Sequence, residues 1–406
     1  MKPSVRRIIA IVAAFAAASM LSIVGPGASP AAALPSGSPW IVSIGDSAIS
    51  GEAGRWAGNT NKSSTLVDAL GSSAYNDNAT KTAEQIAGCH RSRAAEVHIG
   101  GGVNSLNLAC SGARTYTQTP DGGDFKPGID FYSDAEGRVG QARALQSFAT
   151  SNRVKAVTLL IGANNYHFAD LVQTCVTNWY LSPSWWPNYC HDDADIAANF
   201  TPSNVSAQTA AIAGAIENVN TAMASAGYAS SDWTLILQTY SSPIPRGSQF
   251  RYPQTGLTRQ TVGGCGVWNS DADWANDTVV ATLNSSVRNG ATASGLTNIK
   301  ILDATNALVG HRLCENTVGL LEEKNVTSWT AKGAVDKTEW VSQIRTTSTI
   351  GSAYQLQEDA HPSYWGQLAL RNCLRQAYNG GTPKGGTCTI ARTGLTRLGE
   401  PQMALT

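Results

Sequence analysis

The chain reads as an α/β protein built on a parallel sheet with helices on both faces. Three observations predict this. Five short apolar runs lack the alternation of a half-exposed strand. Helical patterns stand between several of them. The polar residues fit for chemistry fall just after the runs, where sites form in such sheets.

The runs are Trp40 to Ile44, Ser105 to Leu108, Ala156 to Ile161, Trp233 to Leu237 and Ile299 to Leu302. Their length suits strands buried on both faces. Arg138 to Asn152 is a first helical candidate. Val205 to Ala226 is the clearest, with Ile212, Ile216, Val219 and Met223 on one face and Gly227 as a stop. Ala275 to Asn289 is a third. The last helix is expected to open near His361-Pro362, where Pro suits the first turn, and to end near Asn379-Gly380. The tail after Cys388 has no strong periodicity and reads as a surface arm.

Residues 1–33 read as a secretory signal. Lys2, Arg6 and Arg7 precede an apolar run, Ile8 to Val24, and the segment ends on Ala31-Ala32-Ala33. An uncleaved anchor is the alternative, but Pro26 and Pro30 break the helix before the Ala triplet. The remainder, 34–406, reads as one domain, since no Pro/Ser/Gly linker divides it. The chain has 29 bases and 29 acids, and three of those bases lie in the leader. A net charge of about −3 for the rest argues against a nucleic-acid partner, which needs a basic face. An exported monomer is the expectation. Eight cysteines in an exported chain read as disulfides. Of 105 possible pairings, the simplest joins neighbours: 89–110, 175–190, 265–314 and 373–388. No C-x-x-C pair points to zinc.

Ser47 ends the segment Ile44-Gly45-Asp46-Ser47, on a turn after the first strand. A Ser hydroxyl needs an adjacent base to act as a nucleophile, and His is the usual one. Taken alone, Gly-Asp-Ser is an ordinary turn or cap. Of the six histidines, His361 stands out because Glu358 and Asp359 precede it and Pro362 follows. A carboxylate there would orient the ring. Gly112, in Cys110-Ser111-Gly112-Ala113, offers a backbone N–H for an oxyanion. Asn164, in Gly162-Ala163-Asn164-Asn165, offers a side-chain amide. Separately, each of these two is turn chemistry.

Together these segments resemble the SGNH, or GDSL, hydrolase family. Ser43-Ile44-Gly45-Asp46-Ser47 with Ser50-Gly51-Glu52 is similar to the family's first block. Asn107-Leu108-Ala109-Cys110-Ser111-Gly112-Ala113 resembles the second, Gly162-Ala163-Asn164-Asn165 with Phe168 the third, and Glu358-Asp359-Ala360-His361-Pro362 the fifth. They occur in the family's order across most of the chain. Cys89-His90-Arg91-Ser92 and Gly264-Cys265 are similar to segments of secreted actinobacterial members. The resemblance implies a flavodoxin-like three-layer α/β/α sandwich, with disulfide-tied loop insertions on the parallel sheet of about five strands. It implies Ser47 as nucleophile and His361 as base, with an oxyanion hole from the Ser47 and Gly112 amides and the Asn164 side chain. No metal or organic cofactor is implied. Two departures stand out: Asn165 replaces the usual Asp, and Glu358 replaces the Asp three residues before His361. Glu358 is the third triad member by position. Asp359 and a backbone carbonyl are the alternatives.

Between Cys175 and Cys190 lie Trp179, Tyr180, Trp185, Trp186 and Tyr189. This insertion is expected either to wall an acyl pocket, with Trp179, Trp185 and Trp186 touching substrate or a lipid interface, or to pack its own rings. Asp271 and Asp273 alternate like metal ligands but read as a solvated helix start. The expected activity is hydrolysis of carboxylic esters, lipid esters first, as by a lipase or phospholipase A/B. Acyl esters on polysaccharide are the second reading. A catalytically silent secreted binding protein is the alternative from another class.

Overall fold

In the computed structural model, which describes residues 34–119, 124–345 and 353–406, all five apolar runs form strands. They are β1 (Trp40–Gly45), β2 (Asn104–Asn107), β3 (Val154–Leu160), β4 (Thr234–Gln238) and β5 (Ile299–Asp303). The leader read at 1–33 lies outside the described residues. Neighbouring strands are parallel, in the order β2-β1-β3-β4-β5. This is the flavodoxin-like order of a doubly wound sheet, whose direction of winding reverses between β1 and β3.

Burial on both faces explains the apolar runs of β1, β3 and β4. Val42, Ile44, Val157, Leu159, Leu235 and Leu237 point into one core, while Ile41, Ala156 and Ile236 point into the other. The first core is covered by helices Gln141–Ala149, Pro202–Ser225 and Ala281–Ala293; the second is covered by Tyr364–Tyr378 and the segment 95–103. The result is three layers. Ile212, Ile216, Val219 and Met223 are fully buried, as their spacing predicts. That helix starts three residues before the expected Val205. Thr201 caps it and Pro202 fills its first position, a start signal more informative than the apolar stripe. The third helical pattern runs on from Asn269 to Ala293 through a widened turn at Ala275–Val280. The last helix opens at Tyr364 and not at His361-Pro362, because Ser363 is its extended N-cap.

The surface-arm reading of the tail is corrected. Gly386–Leu395 and Pro401–Leu405 form β6 and β7, extending the sheet to seven strands. β6 joins β5 in parallel through Leu302–Gly386 and Asp303–Thr387, and β7 returns antiparallel to it. Met403 and Leu405 point inward from β7, and the buried Glu400 pairs with Arg375 of the last helix. The four disulfides join neighbouring cysteines: Cys89–Cys110, Cys175–Cys190, Cys265–Cys314 and Cys373–Cys388. Among the described residues no helix is long and apolar enough to cross a membrane.

Candidate active site

Ser47 lies where β1 ends beside β3, at the point of reversed winding. The chain turns there at Gly45, whose φ is +142°. A Cβ at Gly45 would sit 2.1 Å from the Leu160 carbonyl oxygen, so only Gly lets the turn lie against β3. Asp46 caps the short helix Ser47–Ser50 by accepting from the Ala48 amide at 3.2 Å. The turn is braced on every side. Gln141 accepts from the Gly45 amide at 2.7 Å and donates to its carbonyl at 2.9 Å. Gln367 donates to the Ala48 carbonyl and Asn107 to the Ser50 carbonyl. The Tyr240 hydroxyl donates to the buried Asp46 carboxylate and accepts from the Ala163 amide at 3.0 Å, tying the Ser47 turn to the Asn164 turn. Burial pushes the Asp46 carboxyl up to about 7, against the Tyr240 and Ala48 hydrogen bonds.

His361 comes from the far end of the chain, 314 residues away, yet its Nε2 is 2.6 Å from Ser47 Oγ. A short bridge delivers it. The Ser342 amide donates to the His361 carbonyl, the Ala360 amide to the Ser342 carbonyl, and the Ser363 amide to the Trp340 carbonyl. Nδ1 lies 2.9 Å from the Asp359 main-chain carbonyl. With Nδ1 protonated and donating to that carbonyl, Nε2 is left to accept the Ser47 proton.

Glu358, expected behind the ring by position, does not reach it. Its buried carboxylate accepts from the Trp56 indole at 2.7 Å, the Tyr75 hydroxyl at 2.5 Å and the Gln355 amide at 2.9 Å. It anchors the loop instead. The Asp359 carboxylate also turns away, accepting from the Arg345 amide at 2.8 Å. Burial pushes both carboxyls up, that of Asp359 to about 7. The carboxylate whose charge bears most on His361 is Glu52, from the segment Ser50-Gly51-Glu52. It is fully buried and 2.6 Å from His90 Nδ1. Burial opposes its charge, but the His90 hydrogen bond and charge hold its pKa below the usual range. Burial drives the His361 pKa below its ordinary value, and the Glu52 charge and the Asp359 carbonyl partly offset this.

Gly112 follows β2 with φ +81°, a conformation that favours Gly, and its amide makes no hydrogen bond within the described chain. Its loop is fixed by the Cys89–Cys110 disulfide and by Arg91, which donates to the Ala109 and Leu108 carbonyls. Asn164 follows β3, and its Nδ2 donates to the carbonyl of Ala113, the residue after Gly112, at 2.9 Å. That leaves the second Nδ2 proton unspent. Asn165 is buried, accepting from the Thr115 amide and donating to the Thr115 hydroxyl and to Gln208 Oε1. An amide both accepts and donates there, so the loss of an Asp charge leaves the two turns joined.

Ser47, Asn164 and His361 share one cleft of about 1340 Å³. Phe168, Val172, Val176 and Tyr180, four residues apart on helix Phe168–Leu181, form one wall of it. The aromatic insertion divides. Trp179 is buried, donates to the Gln254 carbonyl and packs on Trp268, so it belongs to the core and not to the cleft wall. Trp185 and Trp186 are exposed and do not line the cleft. Asp271 is a buried brace, accepting from the Cys190 and His191 amides and lying 2.6 Å from His191 Nδ1.

Gln141, Tyr240 and Gln367 escape sequence reasoning because nothing in their local sequence marks them. They meet the Ser47 turn across 96, 194 and 319 residues. A link between residues so far apart has no local pattern.

No family sequence model matches the chain, and no curated protein matches it significantly in sequence. Among solved structures, an extracellular lipase from Streptomyces rimosus is 14% identical with a TM-score of 0.41, covering 84% of this chain and 100% of its own. An active-site mutant of a family two carbohydrate esterase from Clostridium thermocellum is 12% identical with a TM-score of 0.36, covering 85% and 65%. A carbohydrate acetylesterase from Sinorhizobium meliloti is 10% identical with a TM-score of 0.28, covering 70% and 92%.

Proposed function

We propose that the chain is an exported serine hydrolase of carboxylic esters, of the SGNH type its motifs resemble, with Ser47 as nucleophile. The observation that carries this reading is the 2.6 Å approach of His361 Nε2 to Ser47 Oγ, with Nδ1 held by a main-chain carbonyl. Ser47 Oγ attacks the ester carbonyl carbon while its proton passes to His361 Nε2. The carbonyl oxygen, now negative, takes donors from the Ser47 and Gly112 amides and from the free proton of Asn164 Nδ2. Collapse breaks the C–O bond to the alcohol, which leaves with the proton from Nε2. Water then gives a proton to Nε2 and its oxygen to the acyl carbon, which releases the acid and restores Ser47. Four disulfides fit a protein that works in an oxidising compartment.

Lipid esters are the substrate class this cleft suits best. An acetyl group needs little room, whereas the apolar stripe Phe168, Val172, Val176 offers a wall for a long chain. A fluorophosphonate probe tests the chemistry: it labels the oxidised wild type and fails to label Ser47→Ala. Folded wild type that takes no label is instead the silent binding protein. Long-chain lipid esters are expected to turn over faster than acetylated xylan, and the reverse order assigns the cleft to polysaccharide.

The pH profile follows from the ring. His361 must be neutral to accept the proton, and burial lowers its pKa. For a soluble ester, kcat/KM therefore rises with pH through a midpoint below the ordinary His value of about 6.5. Glu52→Gln removes a negative charge that favours the imidazolium, an effect that outweighs the opposing influence of His90. The midpoint then moves to still lower pH and the plateau rate falls about threefold or more. An unmoved profile in the variant would remove Glu52 from the mechanism.

A further inference from the structure

The helix that walls the cleft ends in an apolar rim. Tyr180 and Leu181 both line the cleft and face solvent, and Trp185 and Trp186 follow on the adjoining loop. Leu181 is 75% exposed, Trp185 81% and Trp186 72%, among the most exposed large apolar side chains of the described chain. Single exposed apolar residues are ordinary, but a contiguous group of them marks an interaction surface.

The loop holds its rings outward by its own bonding. The Trp186 amide donates to the Pro183 carbonyl at 2.9 Å and the Asn188 amide to Ser182 Oγ at 3.0 Å, and the Cys175–Cys190 disulfide closes the base. Trp179 and Tyr189, from the same insertion, turn inward onto Trp268. The insertion thus has an anchoring side and a presenting side.

We propose that this rim docks on a neutral or zwitterionic lipid surface and sets the cleft mouth against the esters that surface holds. The proposal rests on the ester-hydrolase reading and specifies where its substrate is met. Charge selects the occupant. From Leu171 to Cys190 there is no Asp, Glu, Lys or Arg, so nothing charged must leave water when the rim enters a lipid interface. Exposed Asp170 and Asp192 flank the segment, so an anionic surface gains no attraction there. Trp and Tyr suit the boundary between headgroup and hydrocarbon, where one end of the ring system is apolar and the other wet. The Trp185 and Trp186 planes stand at 88° to one another. They offer no shared flat platform for successive sugar rings, whereas perpendicular rings insert side by side into a fluid interface.

The test is flotation of the oxidised protein with phosphatidylcholine vesicles. Wild type is expected to float with them equally at about 0.1 and 0.5 M salt, since screening has no attraction to weaken. The double substitution Trp185→Ser, Trp186→Ser is expected to weaken partitioning about tenfold or more, and to slow turnover of vesicle-borne long-chain esters to match. Hydrolysis of soluble p-nitrophenyl acetate should stay within about twofold, because neither ring lines the cleft. Ser47→Ala should float as wild type does. The docking proposal is overturned if active protein fails to float, if the double variant floats unchanged, or if binding requires phosphatidylglycerol and is lost in salt. It is equally overturned if the substitutions instead dissolve a dimer seen by sedimentation. Flotation with no turnover of any ester would leave the lipid docking intact and overturn the hydrolase reading.

Discussion

His361→Ala lowers the turnover of a soluble ester by about 10³- to 10⁴-fold, whereas Glu358→Gln leaves kcat within a few-fold of wild type. The two residues are three apart and both belong to the segment resembling the fifth family block, so their separation in effect is a sharp test. His361 Nε2 touches the Ser47 hydroxyl. Without it the hydroxyl has no base and the leaving alcohol has no acid. Glu358 touches neither. Its partners are Trp56, Tyr75 and Gln355, and what it loses on amidation is one good acceptor among buried donors. That loss appears as reduced stability of about 1–3 kcal/mol. The acceptor that fixes the ring is a main-chain carbonyl, which no side-chain substitution at 358 or 359 removes. Asp359→Asn is therefore also expected to keep kcat. Steady-state kinetics with p-nitrophenyl butyrate and thermal unfolding of each variant measure both quantities. A folded Glu358→Gln protein as slow as His361→Ala would contradict this arrangement and restore the carboxylate as the third member.

Much of this was readable in the amino-acid string, for identifiable reasons. β1, β3 and β4 were visible because strands buried on both faces must be apolar at nearly every position, whereas the partly buried β2 and β5 showed only as short runs broken by Asn107 and Lys300. Ser47, Gly112 and Asn164 were picked out as candidates because doubly wound sheets collect their chemistry at strand ends, and they do follow β1, β2 and β3. β6 and β7 were not visible, since an edge hairpin is buried on one side only: in β7 only Pro401, Met403 and Leu405 alternate inward, over five residues. Glu358 was assigned by counting back from His361. Counting fails there because Ala360, with φ +60°, redirects the chain and sends the Glu358 carboxylate toward Trp56 and Tyr75. Asn165 stood out as a departure from the usual Asp, but its side-chain amide bonds to both the main-chain amide and the hydroxyl of Thr115.

Asn164→Ala separates oxyanion stabilisation from proton transfer. The expected result is a fall in kcat/KM of about 10²- to 10³-fold, carried in kcat, with KM nearly unchanged. The reasoning turns on how many protons the amide has spent. Nδ2 carries two, and one goes to the Ala113 carbonyl, which fixes the side chain in place. The other is available only when negative charge develops on the carbonyl oxygen, so its loss is felt in the transition state and little in the bound ester. Asn164→Asp is nearly isosteric but has no N–H to offer. It should therefore be at least as slow as Asn164→Ala, whereas a packing role would spare it. The acidic limb of the pH profile should stay where wild type has it in both variants, because His361 keeps its contacts with Ser47 and Asp359. A shifted limb would mean that Asn164 acts through the base. A retained kcat would mean that the Ser47 and Gly112 amides hold the oxyanion alone.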